Sequence, residues 1–429
     1  MRHDPRSIER VRRVLLAMLG DAPRQDGPGQ VPLQPGEWAM LDAMARQHRL
    51  QPLLHGRLKA AGAAWQVPRD YAAAWEQAYR RSAIEALAAK GALIRVGRIL
   101  DLAGIAYAAL KGAWLAWHGY ANPALRPMRD LDILVAPDRL EEAYRALVAH
   151  GFEELDGGPY SADTLALGRK HLPALRDRAT AIHVELHSRL FEHVGPAMTD
   201  AFLLRSDDLL ASRVRLPLEQ AAIAYLPACE TLLHLAVHSA YEHRFDNGPQ
   251  VLHDVAAVLA RQTIDWQRFW MLAAEGGWTR GCQLVLRLTE RMLGPQPVAW
   301  GSGHAALPQD ILDKAALLLL QDTALRRDLD VQLQLENLGA LSRANIGQIF
   351  TRFFPGRHVI AAYAGLSPDR RSVWLHYPAW LATRLARTVQ GSFDQRQRGE
   401  VVRARDIERW LGAAPMAGTE SNRPSIRLN

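Results

Sequence analysis

The stretch LKGAWLAWHGYANPALRPMRDLDILV, Leu110–Val135, decides how the rest of this chain is read. It closes on an apolar run entered through Asp130 and Asp132. Side chains alternate along a strand, so both carboxylates take one face while Leu131 and Ile133 take the other. Two carboxylates on neighbouring same-face positions repel each other. A divalent cation between them relieves the repulsion, and hard ions such as Mg²⁺ favour oxygen ligands. The plain alternative for the pair is a polar turn at the start of a strand. At the other end of the stretch, Lys111-Gly112 follows the apolar run Ile105–Leu110 and precedes the helical pattern Ala113–His118. Backbone N–H groups and a cation at such a turn hold phosphate oxygens. Arg126 and Arg129 add guanidinium groups that can neutralise a phosphate chain. Lysine occurs only at positions 59, 90, 111, 170 and 314, which gives weight to one beside glycine here. A surface lysine is the alternative, and the apolar flanks argue against it.

A third carboxylate lies downstream. In HVELHSRL, alternation puts His183, Glu185 and His187 on one face and Val184 and Leu186 on the other. If this strand lies beside Leu131–Val135, Glu185 joins the aspartates. Three carboxylates on neighbouring strands can hold two metal ions about 4 Å apart, a geometry suited to phosphoryl transfer. Further strands are expected at Phe152–Leu155, Lys170–Leu175 and Ala181–Leu186, the last two joined by a turn at Arg176-Asp177-Arg178. An amphipathic helix, Arg139–His150, ends at Gly151. A compact α+β unit therefore spans 96–200.

Helical periodicity surrounds this unit. Ile8–Leu19, Trp38–Ala61 and Tyr71–Leu102 precede it, the first two separated by the Pro/Gly/Gln-rich segment Ala22–Gly36. Ala228–Tyr241, Gln250–Ala260, Trp266–Glu275, Cys282–Leu293 and Gln309–Asp322 follow it. The division expected is a helical region over 1–95, the core over 96–200 and a helical domain over 201–345. An arginine-rich helical region over 346–411 and a disordered tail over 412–429 complete it.

The chain has 429 residues, 48% of them hydrophobic and 23% charged, which suits a soluble globular protein with a large core. No apolar run approaches the roughly 18 residues that span a bilayer. The opening residues read as a first helix rather than a signal peptide, and a cytoplasmic location is expected. Cys229 and Cys282 sit in apolar helical surroundings and read as buried free thiols. The net charge is +7; residues 351–410 carry eleven arginines and five acids, so six of those charges lie there.

Taken together, LKG, the spacer ending NPALRPMRDLDILV, then HGF, HLPAL and HVELH resemble an uncharacterised bacterial nucleotidyltransferase family of the DNA polymerase β-like superfamily. The resemblance is strongest over 105–190 and extends more weakly to about 385. It implies an α+β fold with a small mixed β-sheet core and extensive flanking helices. It implies an Asp130/Asp132 metal dyad with Glu185 as third acid, Mg²⁺ or Mn²⁺ as cofactor, and an NTP as substrate. An NMP group would pass to an unknown acceptor as pyrophosphate leaves. Lys111-Gly112 stands where the superfamily carries a Gly-Gly or Gly-Ser turn, and Glu185 replaces a commoner aspartate. The alternative is a catalytically inactive binding or scaffold protein on the same fold. Relatives among peptide and polysaccharide biosynthesis genes leave a small molecule, a peptide or a protein as acceptor.

Other histidines and the arginine-rich end have competing readings. His234 and His238 are four apart on a helix, with His243, His253 and Asp254 downstream. A transition-metal site is one reading, and histidines packed on the core or lining its cleft are the favoured one. His171, His183 and His187 read equally as phosphate contacts or structural histidines, and His187 ranks first because it shares the Glu185 face. Val373–Val389 mixes Trp374, Tyr377 and Trp380 with Arg384 and Arg387. It suits an anionic membrane surface, a nucleic acid or, because Pro378 interrupts the pattern, a packing helix.

Overall fold

Among the described residues, four helices precede the first strand: α1 (Pro5–Leu19), α2 (Pro35–Gln47), α3 (Gln51–Ala61) and α4 (Arg69–Leu102). The computed structural model describes residues 4–20, 33–62, 65–155, 171–191, 206–301, 306–322, 357–364, 371–383 and 395–412. The periodicity of Trp38–Ala61 predicts one helix, but the structure breaks it at His48–Leu50. Pro52 lacks an N–H and would clash with the carbonyl four residues back, so the first helix cannot run through it. Arg49 turns the chain with φ at 57°, and Pro52 then sits in the first turn of α3, where proline is tolerated.

Seven strands form one mixed sheet in the order β3-β4-β5-β2-β1-β7-β6. They are β1 (Tyr107–Ala109), β2 (Asp130–Val135), β3 (Phe152–Glu154), β4 (Leu175–Asp177), β5 (His183–His187), β6 (Val214–Leu218) and β7 (Ala221–Tyr225). Helix α5 (Leu140–Ala149) lies between β2 and β3. The α+β architecture expected from the sequence is present. Two details differ. The run Lys170–Leu175 contributes only an isolated bridge from His171 to His187 and the first residue of β4; Lys170 lies outside the described residues. Asp177 ends β4 instead of sitting mid-turn, because its buried carboxylate organises the bend behind it. It accepts from Ala179 N (3.2 Å) and Thr180 Oγ1 (2.7 Å) and pairs with Arg95 (2.8 Å). The sheet also continues past the 96–200 unit, through the antiparallel hairpin β6–β7, whose β7 runs parallel to β1. β6 and β3 are the two edges, and Pro217 lies within β6.

Helix α4 packs its small-residue stripe Ala78, Ser82, Ala86, Ala89 and Ala92 inward, the spacing of one helical face. Gly97 lets it reach the sheet: a Cβ there would lie 2.6 Å from the Tyr107 hydroxyl oxygen and 2.8 Å from Ile223 Cδ1. Beyond the sheet come α6 (Ala228–Val237), α7 (Gln250–Arg261), α8 (Trp266–Glu275), α9 (Thr279–Leu293), α10 (Gln309–Leu318) and α11 (Gln395–Gly412). One apolar core runs from Ile8 in α1 through the sheet to Leu411 in α11. Cys229 and Cys282 are buried and free, and burial pushes both thiols up, that of Cys229 to about 12.

Charged contacts fasten α11. Arg12 of α1 and Glu400 of α11 form an ion pair with side chains 2% and 1% exposed. Lys314 meets Asp406 at 2.8 Å, and Arg280 donates to the Trp410 carbonyl. Ile360, Ala361 and Val373 form a small separate cluster with Tyr377 and Trp380 against it. The 22–32 connection, Arg384, Arg387 and the tail from 413 lie outside the described residues. Among the described residues, no helix is long and apolar enough to cross a membrane.

His48, in the break between α2 and α3, yields a stability prediction. Burial lowers its pKa from 6.5 to about 4, with Arg12 acting in the same direction, against a hydrogen bond to the Gln321 carbonyl (3.0 Å). A histidine kept neutral by folding stabilises fully above its unfolded pKa, and that contribution is lost as pH falls toward the folded value. Between pH 7.5 and 5 this should amount to about 2 kcal/mol. Urea unfolding of wild type and His48→Gln at both pH values checks it: the variant should lose about that much less on acidification. Equal losses would show that His48 is not the group responsible.

Candidate active site

β2 and β5 are parallel neighbours, with Asp132 opposite Glu185 and Asp130 opposite His183. The apolar alternates Leu131, Ile133, Val184 and Leu186 are buried below. This register follows from burial: a shift of one residue would drive the carboxylates into the core and the leucines out. Asp130, Asp132, Glu185 and His187 therefore line one cavity of about 540 Å³, together with Lys111, Gly112, Arg126 and Arg129. His171 and His238 are on its wall as well, whereas His183, His234 and His253, also named from the sequence, are not.

The carboxylates are close and unequal. His187 Nε2 lies 3.0 Å from Asp132 Oδ1 and 3.7 Å from Glu185 Oε2, and Lys111 Nζ lies 3.2 Å from Asp132 Oδ2. Burial opposes the charge on Asp132, but Lys111 and His187 outweigh it and hold the carboxyl well below its usual range. Asp130 goes the other way. Burial, then the charges of Asp132 and Glu185, raise it to about 6. The hydrogen bond from His187 lowers Glu185. Burial would lower His187 itself, but Asp132 and Glu185 raise it. Neighbouring carboxyls crowded and pushed apart in this way are an arrangement whose repulsion a cation would relieve.

The donor set fits such an ion. Ligand atoms of Asp132, Glu185 and His187 all lie within 4.8 Å of one another, the one group of three or more metal-ligating side chains among the described residues. Asp130 is the further oxygen donor on the same wall. His171, bridged to His187 in the sheet, places Nδ1 3.7 Å from Glu185. Oxygen-rich donors suit Mg²⁺ or Mn²⁺, and the imidazole favours Mn²⁺ of the two.

The phosphate-side residues are only partly as expected. Lys111 holds φ at 38°, and a single helical turn, Gly112–Trp114, begins after it. Gly112 is required for contact: a Cβ there would lie 2.5 Å from Arg126 Nη1. Arg126, expected to meet phosphate, gives Nε and Nη2 to Asp254 of α7 (3.2 and 2.9 Å), which also accepts from the Tyr120 hydroxyl (2.8 Å). That leaves its Nη1 over Gly112 as the edge facing the turn. Arg129 is exposed on the rim. Asp254 is thus a partner of Arg126 on the cavity wall.

The helical side of the cavity carries residues the sequence named only loosely or not at all. A π-helical turn, His238–Glu242, follows α6. It brings His238 Nε2 to 3.2 Å from His243 Nε2, while His243 Nδ1 lies 2.8 Å from Asp246 Oδ1. His234, by contrast, packs edge-on to Phe191. Among the described residues, His234, His238 and His253 do not converge into a three-ligand site; His238 meets His234 edge-on at 5.8 Å between ring centres, as the spacing of four predicts, and meets His243 across the π turn. Arg49, between α2 and α3, also lines the cavity and donates to the Met128 carbonyl (3.2 Å). Burial and the neighbouring Arg129 push its guanidinium pKa down. Only the chain break before Pro52 hinted at it. Of the non-glycine residues with positive φ, Arg49 and Lys111 line the cavity, while Arg244 and Phe245 sit between His243 and Asp246. Ala181 and Glu219, the other two such residues among those described, lie away from the cavity.

The model of a family described as uncharacterised nucleotidyltransferase matches residues 34–294, from α2 to α9, and so takes in every wall of the cavity. No curated protein matches the chain.

Proposed function

The chain belongs to this uncharacterised nucleotidyltransferase family, and from that premise we propose a metal-dependent transfer of an NMP group from an NTP to an acceptor. The observation that carries the reading is the set of three carboxylates joined across β2 and β5 at a cation-rimmed cavity. Asp130 and Asp132 are the ligands for Mg²⁺ or Mn²⁺, and Glu185 is a third ligand or the base toward the acceptor. The bound ion supplies charge neutralisation for the phosphates and lowers the pKa of an attacking hydroxyl. Lys111 and the Arg126 edge over Gly112 orient the phosphate chain, with Arg129 on the rim and His187 fixing the Asp132 carboxylate. The acceptor oxygen forms a bond to the α-phosphorus as the α–β bridge bond breaks. Pyrophosphate leaves with that bridging oxygen, and the acceptor's proton passes to Glu185 or to solvent.

One observation favours a second reading. Lys111 is paired with Asp132 and Arg126 with Asp254, so two cations suited to phosphate already have carboxylate partners. A catalytically inactive protein that binds a nucleotide or a partner on this fold would keep such pairs.

Calorimetric titration of the four NTPs with Mg²⁺ or Mn²⁺, into wild type and Asp130→Asn/Asp132→Asn, tests the first reading. Metal-dependent binding of at least one NTP, lost in the double variant, is expected. Binding that ignores both the metal and the double substitution would overturn it. Binding without pyrophosphate release, across small-molecule and peptide acceptors, would favour the second.

A further inference from the structure

Among the described residues, four lysine and arginine side chains line the cavity, and they divide into two kinds. Lys111 and Arg126 are matched by Asp132 and Asp254. Arg49 and Arg129 form no ion pair with any carboxylate among the described residues. Both lie near Asp130: Arg129 adjoins it in the chain, and Arg49 donates to the carbonyl of Met128, two residues before it. Arg129, exposed on the rim, opposes the charge on the partly buried Arg49, and the carboxylates of Glu85 and Asp130 act the other way without coming within ion-pair distance of it.

Arg49 is also costly to place. Its φ of 57° puts a long side chain in the left-handed region, a conformation that costs on the order of 1 kcal/mol or more outside glycine. The turn aims an unpaired guanidinium from the N-terminal helices into a cavity whose other wall comes from the sheet. A guanidinium that no carboxylate pairs with directly among the described residues, held at a cavity wall by a left-handed backbone, suits an anionic ligand.

We infer that Arg49 and Arg129 form a polyphosphate-binding pole on the Asp130 side of the cavity, with Arg49 gripping the part of the NTP that departs as pyrophosphate. This rests on the nucleotidyl-transfer reading. A guanidinium fork matches phosphate oxygens in pairs, which an ammonium does not. The N-terminal helices thereby contribute to recognition of the donor and not only to the core.

The test titrates two probes, inorganic tripolyphosphate and the NTP with Mn²⁺, into wild type, Arg49→Gly, Arg49→Ala and Arg49→Lys. Glycine is the informative variant, because it accepts the positive φ without strain while removing the guanidinium. Loss of one charge-assisted contact should weaken both probes roughly 10- to 100-fold, with Arg49→Lys between the extremes. Mn²⁺ binding in the absence of nucleotide, read by electron paramagnetic resonance, should stay within about twofold, because the carboxylates are untouched. Unchanged tripolyphosphate binding in Arg49→Gly would overturn the inference. So would a parallel loss of Mn²⁺ binding, which would make Arg49 a support for the Met128–Asp130 segment only. The failures separate: NTP binding that ignores Arg49 removes this inference alone. Arg49-dependent tripolyphosphate binding with no metal-dependent NTP binding removes the nucleotidyl-transfer reading alone. No binding of either probe removes both.

Discussion

Asp132→Asn should reduce pyrophosphate release about a hundred- to a thousandfold, the scale on which enzymes lose rate when one preorganised electrostatic stabiliser at the reacting centre is removed. Asp132 is the point where Lys111, at 3.2 Å, and His187, at 3.0 Å, converge, and those two hold its carboxyl ionised despite burial. Asparagine keeps the shape and some hydrogen bonding but cannot carry the charge, so the fold should survive while the cation loses a ligand. A second readout separates lost electrostatics from lost structure. Asp130 is raised to about 6 by burial, then by Asp132 and Glu185. With Asp132 neutral, one cause of that rise is gone, and the Asp130 carboxyl should titrate lower, which carboxyl ¹³C chemical shifts would report. Undiminished pyrophosphate release in a folded Asp132→Asn protein would end the proposed mechanism.

The second large effect lies outside the cavity. Glu400→Leu should destabilise the protein by about 3–5 kcal/mol, the range seen when one member of a buried ion pair is removed and the other stays buried. Arg12 and Glu400 are almost wholly excluded from solvent and join the first and last described helices. A Glu400→Leu/Arg12→Met double variant should recover most of the loss, because a well-packed apolar pair replaces a buried ionic one at little net cost. Urea unfolding of the two single variants and the double gives the coupling directly. A Glu400→Leu protein as stable as wild type would show that the pair contributes nothing. Residues 34–294 contain neither partner, so this clamp lies outside the segment matched by the family.

The half of the site that depends on alternation is legible in the sequence. DLDILV and HVELH each show one carboxylate-bearing face and one apolar face, and burying the apolar faces together fixes the register that sets Asp132 against Glu185. The rest depends on tertiary placement. VRLPL has no clean alternation and contains proline, so the β6–β7 hairpin gives little signal, although Ala221–Tyr225 becomes the parallel neighbour of β1. Arg126 looks free for phosphate until α7 brings Asp254 to it across 128 residues. His243 meets His238 only because a π turn changes which residues face each other. Arg49 lies in a helical region far from the acids, and its role follows from a backbone angle that no residue pattern announces.

The edges of the sheet bear on how copies of this chain behave toward each other. A strand with free backbone groups along one side is a template on which a second molecule can extend the sheet. At one edge β3 offers only three residues, Phe152–Glu154. At the other, Pro217 interrupts β6 with a position that has no N–H to donate, and Arg215 is tied by Asp101 at 2.6 and 2.9 Å. Neither edge offers a long, regular row of donors and acceptors for another copy to zip onto. The strands that assemble the acids are in the interior of the order, shielded on both sides by paired neighbours. Association of copies by extension of the sheet is therefore disfavoured, and the strands that bear the three carboxylates lie away from both edges.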